Sequence, residues 1–279
     1  MLKIGFALDG FRPEMVALEV ALDRIAQVGF EYCEPALTVG QEIMQATGFS
    51  PYCSFDEDPR AARRAIESRG LKASAVATHT NLMGPFGITY GAATLRKAIR
   101  FAAEIGAPCV NTSEGATKAR DPRHSDEECF QQIRWVLDAA LRTAEEYGVY
   151  IGIEPHGPFS TTVGGMKRIM SLVDSPWLGI NYDTGNVLIS GHDPVATLKE
   201  LVGWVRHVHL KDVIYSEPKP GHEHGTPMGT GIGMGNVDLK ACIEVLEQGG
   251  YDGVLAAETE AKYIVESYQC MKALVEHRV

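Results

Sequence analysis

Four residues far apart in the chain share a setting in which they could do chemistry. Glu154 in GIEPHG, Asp183 in GINYDTGN, His209 in HVHLKD and Glu258 in LAAETE each follow a run of apolar or β-branched residues. They are separated by 29, 26 and 49 residues, with amphipathic helical sequence between them. Each sits at the C-terminal end of a candidate strand, so parallel neighbouring strands would bring all four side chains to one point. Three carboxylates and an imidazole crowded together repel one another unless a divalent cation lies among them.

Taken singly, each has a plainer reading. Glu154 could be a solvated loop carboxylate, Asp183 before Thr184-Gly185-Asn186 an Asx turn or a cap, and His209 a satisfied core histidine. Four such residues ending four successive strands make the plain readings poor as a set. Alternation along a strand puts His207, His209 and Lys211 on one face, with Val208 and Leu210 turned to a helix layer. By the same parity Glu154 shares a face with Gly152 and His156, and Glu258 with Ala256 and Glu260. Small residues such as Gly152 and Ala256 suit a narrow layer beneath a crowded polar centre.

The elements that must position these residues alternate strand and helix eight times. The strands are KIGFAL, FEYCEPA, LKASAVAT, APCVNTSEG, VYIGIEPHG, LGINYDTGN, RHVHLKD and GVLAAETE. Pro13 is expected to open the first helix, Asp58-Pro59 the second, Asp193-Pro194 the sixth, and Asn236 to cap the seventh. Ser125 and Glu128 have capping-box spacing ahead of a long helix to Tyr147. A polar loop with Gly40, Gly48 and Pro51 follows the second strand. The stretch from Pro220 to Asn236 holds too many glycines for regular structure, and His222 and His224 within it would form a solvated loop or a lid. Eight units without a linker predict a single (β/α)₈ TIM barrel over residues 1–279, whose active site lies at the C-terminal strand ends. A doubly wound sheet would show a glycine-rich phosphate turn after its first strand, and none is present.

Composition narrows the partners. Acidic residues outnumber basic ones, 36 to 26, with no Lys/Arg block, so neither nucleic acid nor an anionic membrane is an expected partner. Six scattered cysteines without a CxxC, no signal-peptide pattern and no long apolar run predict a cytoplasmic protein with reduced thiols.

In order and spacing, IEPHG, NYDTGN, HVHLKD and YDGVLAAE resemble the four metal-ligand strands of the xylose-isomerase-like barrel superfamily of sugar isomerases, epimerases and related lyases. The resemblance covers nearly the whole chain. It implies that Glu154, Asp183, His209 and Glu258 bind one divalent ion. A sulfur-free donor set puts Mn²⁺ first, with Mg²⁺, Co²⁺ or Zn²⁺ as alternatives. The family's pattern of a histidine two residues before lysine selects His209 over His207. The implied activity is isomerisation or epimerisation of a keto-sugar or related polyol carbonyl compound through a metal-bound enediolate, with Glu154 and Glu258, from opposite parts of the ring, as base and acid. Other polar residues at strand ends (Glu34, His79, His156, Asn186 and Lys211) are expected to bind the substrate, and Asn111 or Glu114 could join them. The tryptophans Trp135, Trp177 and Trp204 read as packing residues. The resemblance also implies a homodimer or tetramer.

One departure matters. Keto-sugar epimerases of this type resemble DT-x-H after the aspartate, whereas this chain has Asn186 there. Lyase chemistry on the same scaffold is therefore the alternative: inosose-type dehydration, decarboxylation of a 3-oxo sugar acid, or 3-keto-glycoside cleavage. An abasic-site nuclease fits poorly, because it would need that missing histidine and a basic groove. A non-catalytic binding barrel would hold no metal.

Overall fold

The computed structural model describes residues 2–38, 42–43, 47–48, 53–115, 120–218 and 225–277. Its central sheet is a ring of parallel strands: β1 (Lys3–Ala7), β2 (Tyr32–Glu34), β3 (Lys72–Ala73), β4 (Val76–Ala77), β5 (Cys109–Thr112), β6 (Tyr150–Ile153), β7 (Leu178–Asp183), β8 (Val205–Leu210) and β11 (Val254–Ala257). Around the ring the order is β3-β2-β1-β11-β8-β7-β6-β5-β4. β3 and β4 are two halves of the third barrel strand. One pairs with β2 and the other with β5, and an Ala36–Ala77 bridge closes the seam. This is a TIM barrel.

The helices form where caps and periodicity place them. In α2 (Pro59–Glu67) the Asp58 carboxylate accepts from the Arg60 amide. In α4 (Asp126–Tyr147) Ser125 and Glu128 complete a reciprocal capping box. In α7 (Pro194–Leu201) Asp193 accepts from two amides of the first turn. The remaining long helices are α1 (Leu18–Val28), α3 (Ala92–Ile105), α5 (Val163–Met170), α8 (Leu239–Gln248) and α9 (Ile264–Val275). A short α6 (Thr184–Ile189) directly follows β7. Outward strand residues such as Val208, Leu210, Ile180 and Tyr182 are fully buried beneath this layer, where apolar burial stabilises at roughly 25 cal/mol per Å². All six cysteines are unpaired, and five are buried. Among the described residues, no helix is long and apolar enough to cross a membrane.

Four expectations need correction. Pro13 does not open α1; it lies inside a 3₁₀ turn, Leu8–Glu14, and the helix starts at Leu18. Its fixed φ suits that turn as well as a helix start. The cap of α8 is Asp238, which accepts from Ala241, rather than Asn236. The segment after β2 contains short paired strands, Leu37–Thr38 with Cys53–Ser54 and Glu42–Ile43 with Thr47–Gly48; Gly40 and Pro51 lie outside the described residues. The described part of the glycine-rich stretch, from residue 225 on, includes regular structure. β10 (Pro227–Thr230) pairs antiparallel with β9 (Asp212–Tyr215). Beyond it, the buried Asp212 carboxylate accepts from the Gly233, Gly235 and Val237 amides. A methyl on Gly235 would fall 2.2 Å from that carboxylate, so glycine serves close approach here, not disorder.

Register decides which side chains reach the interior. Between β7 and β8 the pairing passes from Ile180↔Val205 to Asn181↔His207, so Arg206 is an extra residue in a bulge. Beyond it Asp183 lies beside His209, and His209 beside Ala256. Gly152 sits one layer lower, where an added Cβ would meet Asn111 Oδ1 at 2.9 Å, Cys109 Sγ at 3.1 Å and Asn181 Cβ at 3.2 Å. Overpacking such a layer costs about 1–3 kcal/mol. Gly152→Ala should therefore lower the midpoint of thermal unfolding, by roughly 2–4 °C for each kcal/mol lost; an unchanged midpoint would mean that the layer is loose.

Candidate metal centre

The centre grows from the ends of β6, β7, β8 and β11. Glu154 follows Ile153, Asp183 ends β7, His209 is the penultimate residue of β8, and Glu258 follows Ala257. One donor atom from each of the four lies within 4.8 Å of the others. Glu154, Asp183 and His209 are buried, and the Glu258 side chain is only slightly exposed. The strands that carry Glu154 and Glu258 are three steps apart in the eight-strand ring, with β7 and β8 between them. The two glutamates flank the imidazole: His209 Nδ1 is 3.4 Å from Glu154 Oε2 and 3.0 Å from Glu258 Oε2.

The run Asp183-Thr184-Gly185-Asn186 explains itself residue by residue. Asp183 Oδ1 accepts from the Asn186 amide and caps α6, which leaves Oδ2 directed elsewhere. Asp183 is thus both a cap and a member of the cluster. Thr184 Oγ1 donates to the Lys211 carbonyl at 2.7 Å and accepts from the Lys211 amide at 3.0 Å, fastening the ends of β7 and β8. Gly185 lies under the Lys211 stem, where a Cβ would come within 2.6 Å. Asn186 donates to Glu154 Oε1 at 2.9 Å and accepts from Lys211 Nζ at 3.1 Å.

Lys211 is the counter-charge of the cluster. Its ammonium donates to Glu258 Oε1 at 2.9 Å and lies 3.6 Å from Asp183 Oδ2. Burial opposes its charge, but the Asp183 and Glu258 carboxylates outweigh burial and raise its pKa. Glu258 shows the converse: burial would raise its pKa, yet Lys211 and His209 hold it well below the usual carboxylate range. Asp183 has less help. Burial dominates and pushes its carboxyl well above that range, against the Lys211 charge.

Beneath the centre lies a supporting tier. Both Glu34 oxygens are 3.0 Å from His209 Nε2, and Asn111 Nδ2 donates to Glu34 Oε1 at 2.7 Å. Burial alone would raise the Glu34 carboxyl, but His209 and His207 overcome it and hold it at about 2. Burial opposes charge on His209, but Glu34, Glu154 and Glu258 outweigh it and raise its pKa well above the usual imidazole range. With Nε2 facing a carboxylate, loss of the Nδ1 proton to make way for a cation would leave the Nε2–H tautomer with its lone pair toward the cluster. Asn181 adds a hydrogen bond to Glu154 Oε2 at 3.1 Å and contacts His207 Nδ1 through Oδ1. Glu34, His207 and His209 also form a tight set, but Glu34 is already engaged by His209 and Asn111. His207, one layer down, is a buried core residue whose pKa burial lowers to about 4.

The remaining expected residues separate by position. His156 is half-exposed, with Nδ1 4.0 Å from Glu154 Oε1 and 3.3 Å from Asn186 Nδ2. His79 lies beside it, ring centroids 6.2 Å apart, with its Nδ1 buried and unpartnered. Glu34 is buried against His209 Nε2. Glu114 accepts from the Phe159 and Ser160 amides, both at 2.8 Å; it shapes the loop after β6. His222 and His224 lie outside the described residues. Sequence reasoning missed Asn181. Asn181 shares the parity of Asp183, which could have revealed it.

The donors fit a divalent cation on two counts. Two carboxylate oxygens, Asp183 Oδ2 and Glu258 Oε2, are buried without a hydrogen-bond partner, with Glu258 Oε2 3.0 Å from His209 Nδ1. The neutral tautomer of His209 would also aim a lone pair at the same place. Carboxylate oxygens and an imidazole nitrogen are an ordinary donor set for such ions.

A TIM barrel with this convergence at its C-terminal strand ends defines a class, and comparison with known proteins gives the family. Residues 22–274 match the xylose isomerase-like TIM barrel family model, and the chain belongs to that family. An inosose dehydratase of Lacticaseibacillus casei is 24% identical over 92% of this chain and 87% of its own length. L-ribulose-5-phosphate 3-epimerase UlaE of Escherichia coli O157:H7 is 23% identical over 91% and 87%. Among solved structures, IOLI protein with a binding zinc atom superposes with a TM-score of 0.74 at 18% identity, covering 99% of this chain and 97% of that one. Relatives on this scaffold thus include both dehydratases and epimerases.

Carboxylates that orient a ligating histidine typically change metal affinity by about 10–100-fold when removed. Glu34→Gln should weaken Mn²⁺ binding by that factor in a calorimetric titration while circular dichroism stays unchanged. Equal affinity would show that His209 needs no such support.

Proposed function

We propose that this chain is a divalent-metal-dependent enzyme that removes the proton beside the carbonyl of a small polyhydroxylated ketone. The carrying observation is the convergence of four donors with two buried carboxylate oxygens left without a hydrogen bond. Glu154, Asp183, His209 and Glu258 would hold the ion, His209 through Nδ1. When bound, the ion supplies Lewis-acid polarisation of the substrate carbonyl and its neighbouring hydroxyl, which acidifies the adjacent C–H. Mn²⁺, Mg²⁺ or Co²⁺ suits the donors, and the zinc-containing neighbour supports Zn²⁺ as well.

The chain's own groups would then move the proton. Asn181 and Asn186 hold the two oxygens of Glu154, and Lys211 holds one oxygen of Glu258. Each glutamate is thereby fixed in orientation on its own side of the His209 nitrogen, as a base and acid pair needs. His79 and His156 on the Glu154 side, with Lys211 on the Glu258 side, would hydrogen-bond substrate hydroxyls. Asn186 would act chiefly by holding Glu154 and Lys211, and Glu34 by orienting His209. Returning the proton to another face or carbon gives epimerisation or isomerisation.

Dehydration is the second reading. Loss of a β-hydroxyl follows from the same deprotonated substrate. It is supported by the inosose dehydratase relatives over nearly the whole chain and by Asn186 where keto-sugar epimerases resemble a histidine.

A keto-sugar and inosose panel in D₂O, followed by NMR with Mg²⁺ present, reads C–H exchange, epimer and elimination product together. Chelator treatment should abolish exchange and added Mg²⁺ should restore it; activity that survives complete metal removal would overturn the metal's role. Glu258→Gln should reduce exchange by at least about 100-fold with the fold intact, and undiminished exchange would remove Glu258 from the proton transfer.

A further inference from the structure

One carboxyl at the mouth of the barrel has no part in the arrangement described so far. β1 delivers Gly5 and Ala7 to the interior, in register with Ala256 of β11 and with Glu34 of β2. Asp9 follows Ala7 by two, at the start of the Leu8–Glu14 turn. That turn is clamped. Leu8 and Phe11 are fully buried on either side of Asp9. A Cβ on Gly10 would lie 2.1 Å from the Thr259 carbonyl and 2.9 Å from the Phe6 ring, so the turn is pressed against the residue that follows Glu258.

Asp9 is therefore held beside the Glu258 side of the centre. Its Oδ1 is shielded from solvent and has no hydrogen-bond partner. Burial first, and then the Glu258 charge, push its carboxyl up to about 8; Lys211, His209 and Glu34 are the other charges that it feels. The Lys211 ammonium is already committed to Glu258 and Asn186, and Asp9 is not among the four converging donors. A shielded carboxyl oxygen without a hydrogen bond, held on a clamped turn, costs stability, and such costs are retained where a ligand supplies the missing bond.

We propose that Asp9 is a specificity-determining residue whose carboxyl hydrogen-bonds a hydroxyl of the bound substrate on the Glu258 side, so that the substrate class is a ketone bearing a hydroxyl at that place. In either protonation state a carboxyl can make this bond, accepting from the hydroxyl or donating to it. The inference rests on the reading of the centre as a site for polyhydroxylated ketones.

The test compares wild type with Asp9→Asn, which keeps hydrogen-bonding capacity, and Asp9→Leu, which removes it. The probes are D-fructose, scyllo-inosose and singly deoxygenated forms of each, with Mg²⁺ present. For whichever parent ketone exchanges in D₂O, Asp9→Leu should raise KM about 10–100-fold, and Asp9→Asn should recover much of the loss. One deoxy form should be bound equally by wild type and Asp9→Leu, because the anchored hydroxyl is gone from both. The unfolding midpoint of Asp9→Leu should not fall, which separates anchoring from a structural role. An unchanged KM for every probe, or a uniform penalty across all the deoxy forms, overturns the proposal. If wild type exchanges no probe, the catalytic reading fails on its own. Saturation-transfer NMR of D-fructose and scyllo-inosose then decides for Asp9: weaker binding by Asp9→Leu supports it, and equal or absent binding overturns it.

Discussion

Repulsion among buried carboxylates is the constraint on which this barrel's upper end depends. Two unit charges 4 Å apart interact by about 4 kcal/mol at an effective dielectric constant of about 20. Glu154, Asp183 and Glu258 offer oxygens within 4.8 Å of one another and of His209, so several repulsions of this size are in play. A folded domain has a total margin of only about 5–15 kcal/mol. The surrounding residues answer that repulsion directly. Lys211 lies against Glu258 and Asp183, Asn181 and Asn186 donate to Glu154, and His209 lies between the two glutamates. Glu34 in turn meets the charge that His209 gains from its neighbours. What is left over, two buried carboxylate oxygens without a hydrogen bond, is the part that a cation would satisfy.

This answer also explains details of the backbone that otherwise look incidental. Thr184 fastens the end of β7 to that of β8, which fixes where Asp183 stands relative to Lys211. Gly185 leaves space for the lysine stem to cross, and Gly152 and Ala256 leave space below for the amides and imidazoles of the supporting tier. Charge placement and strand packing are one problem here, because the counter-charge reaches its partners only if small residues let it pass.

Much of this was legible before any coordinates. The barrel, the inward parity of His207, His209 and Lys211, and the Ser125 and Asp58 caps follow from local spacing and alternation, whereas the choice of His209 over His207 among the four candidate donors came from the family resemblance. The obscure parts depend on pairing between distant segments. Parity puts Asn181 on the face of Asp183 but does not tell that it bridges His207 and Glu154, and Glu34 looks like any strand-end acid until His209 is seen against it. Asp212 gives no hint that it gathers the glycine-rich stretch. Asp9 is intermediate. It follows a small residue by two, as Glu154 follows Gly152 and Glu258 follows Ala256, but the 3₁₀ turn hides the pattern from a reading that expects a helix at Pro13.

The single extra residue at Arg206 carries a consequence for how this protein can vary. It sets the phase of β8 against β7, so that His207 meets Asn181 and His209 meets Asp183. A point substitution on either strand alters one side chain. Deleting or inserting one residue in β8 would exchange its two faces at once, sending the imidazoles toward the helices and Val208 and Leu210 toward the polar centre. Loops on a rigid scaffold tolerate changes of length, while β8 tolerates changes of letter but not of length.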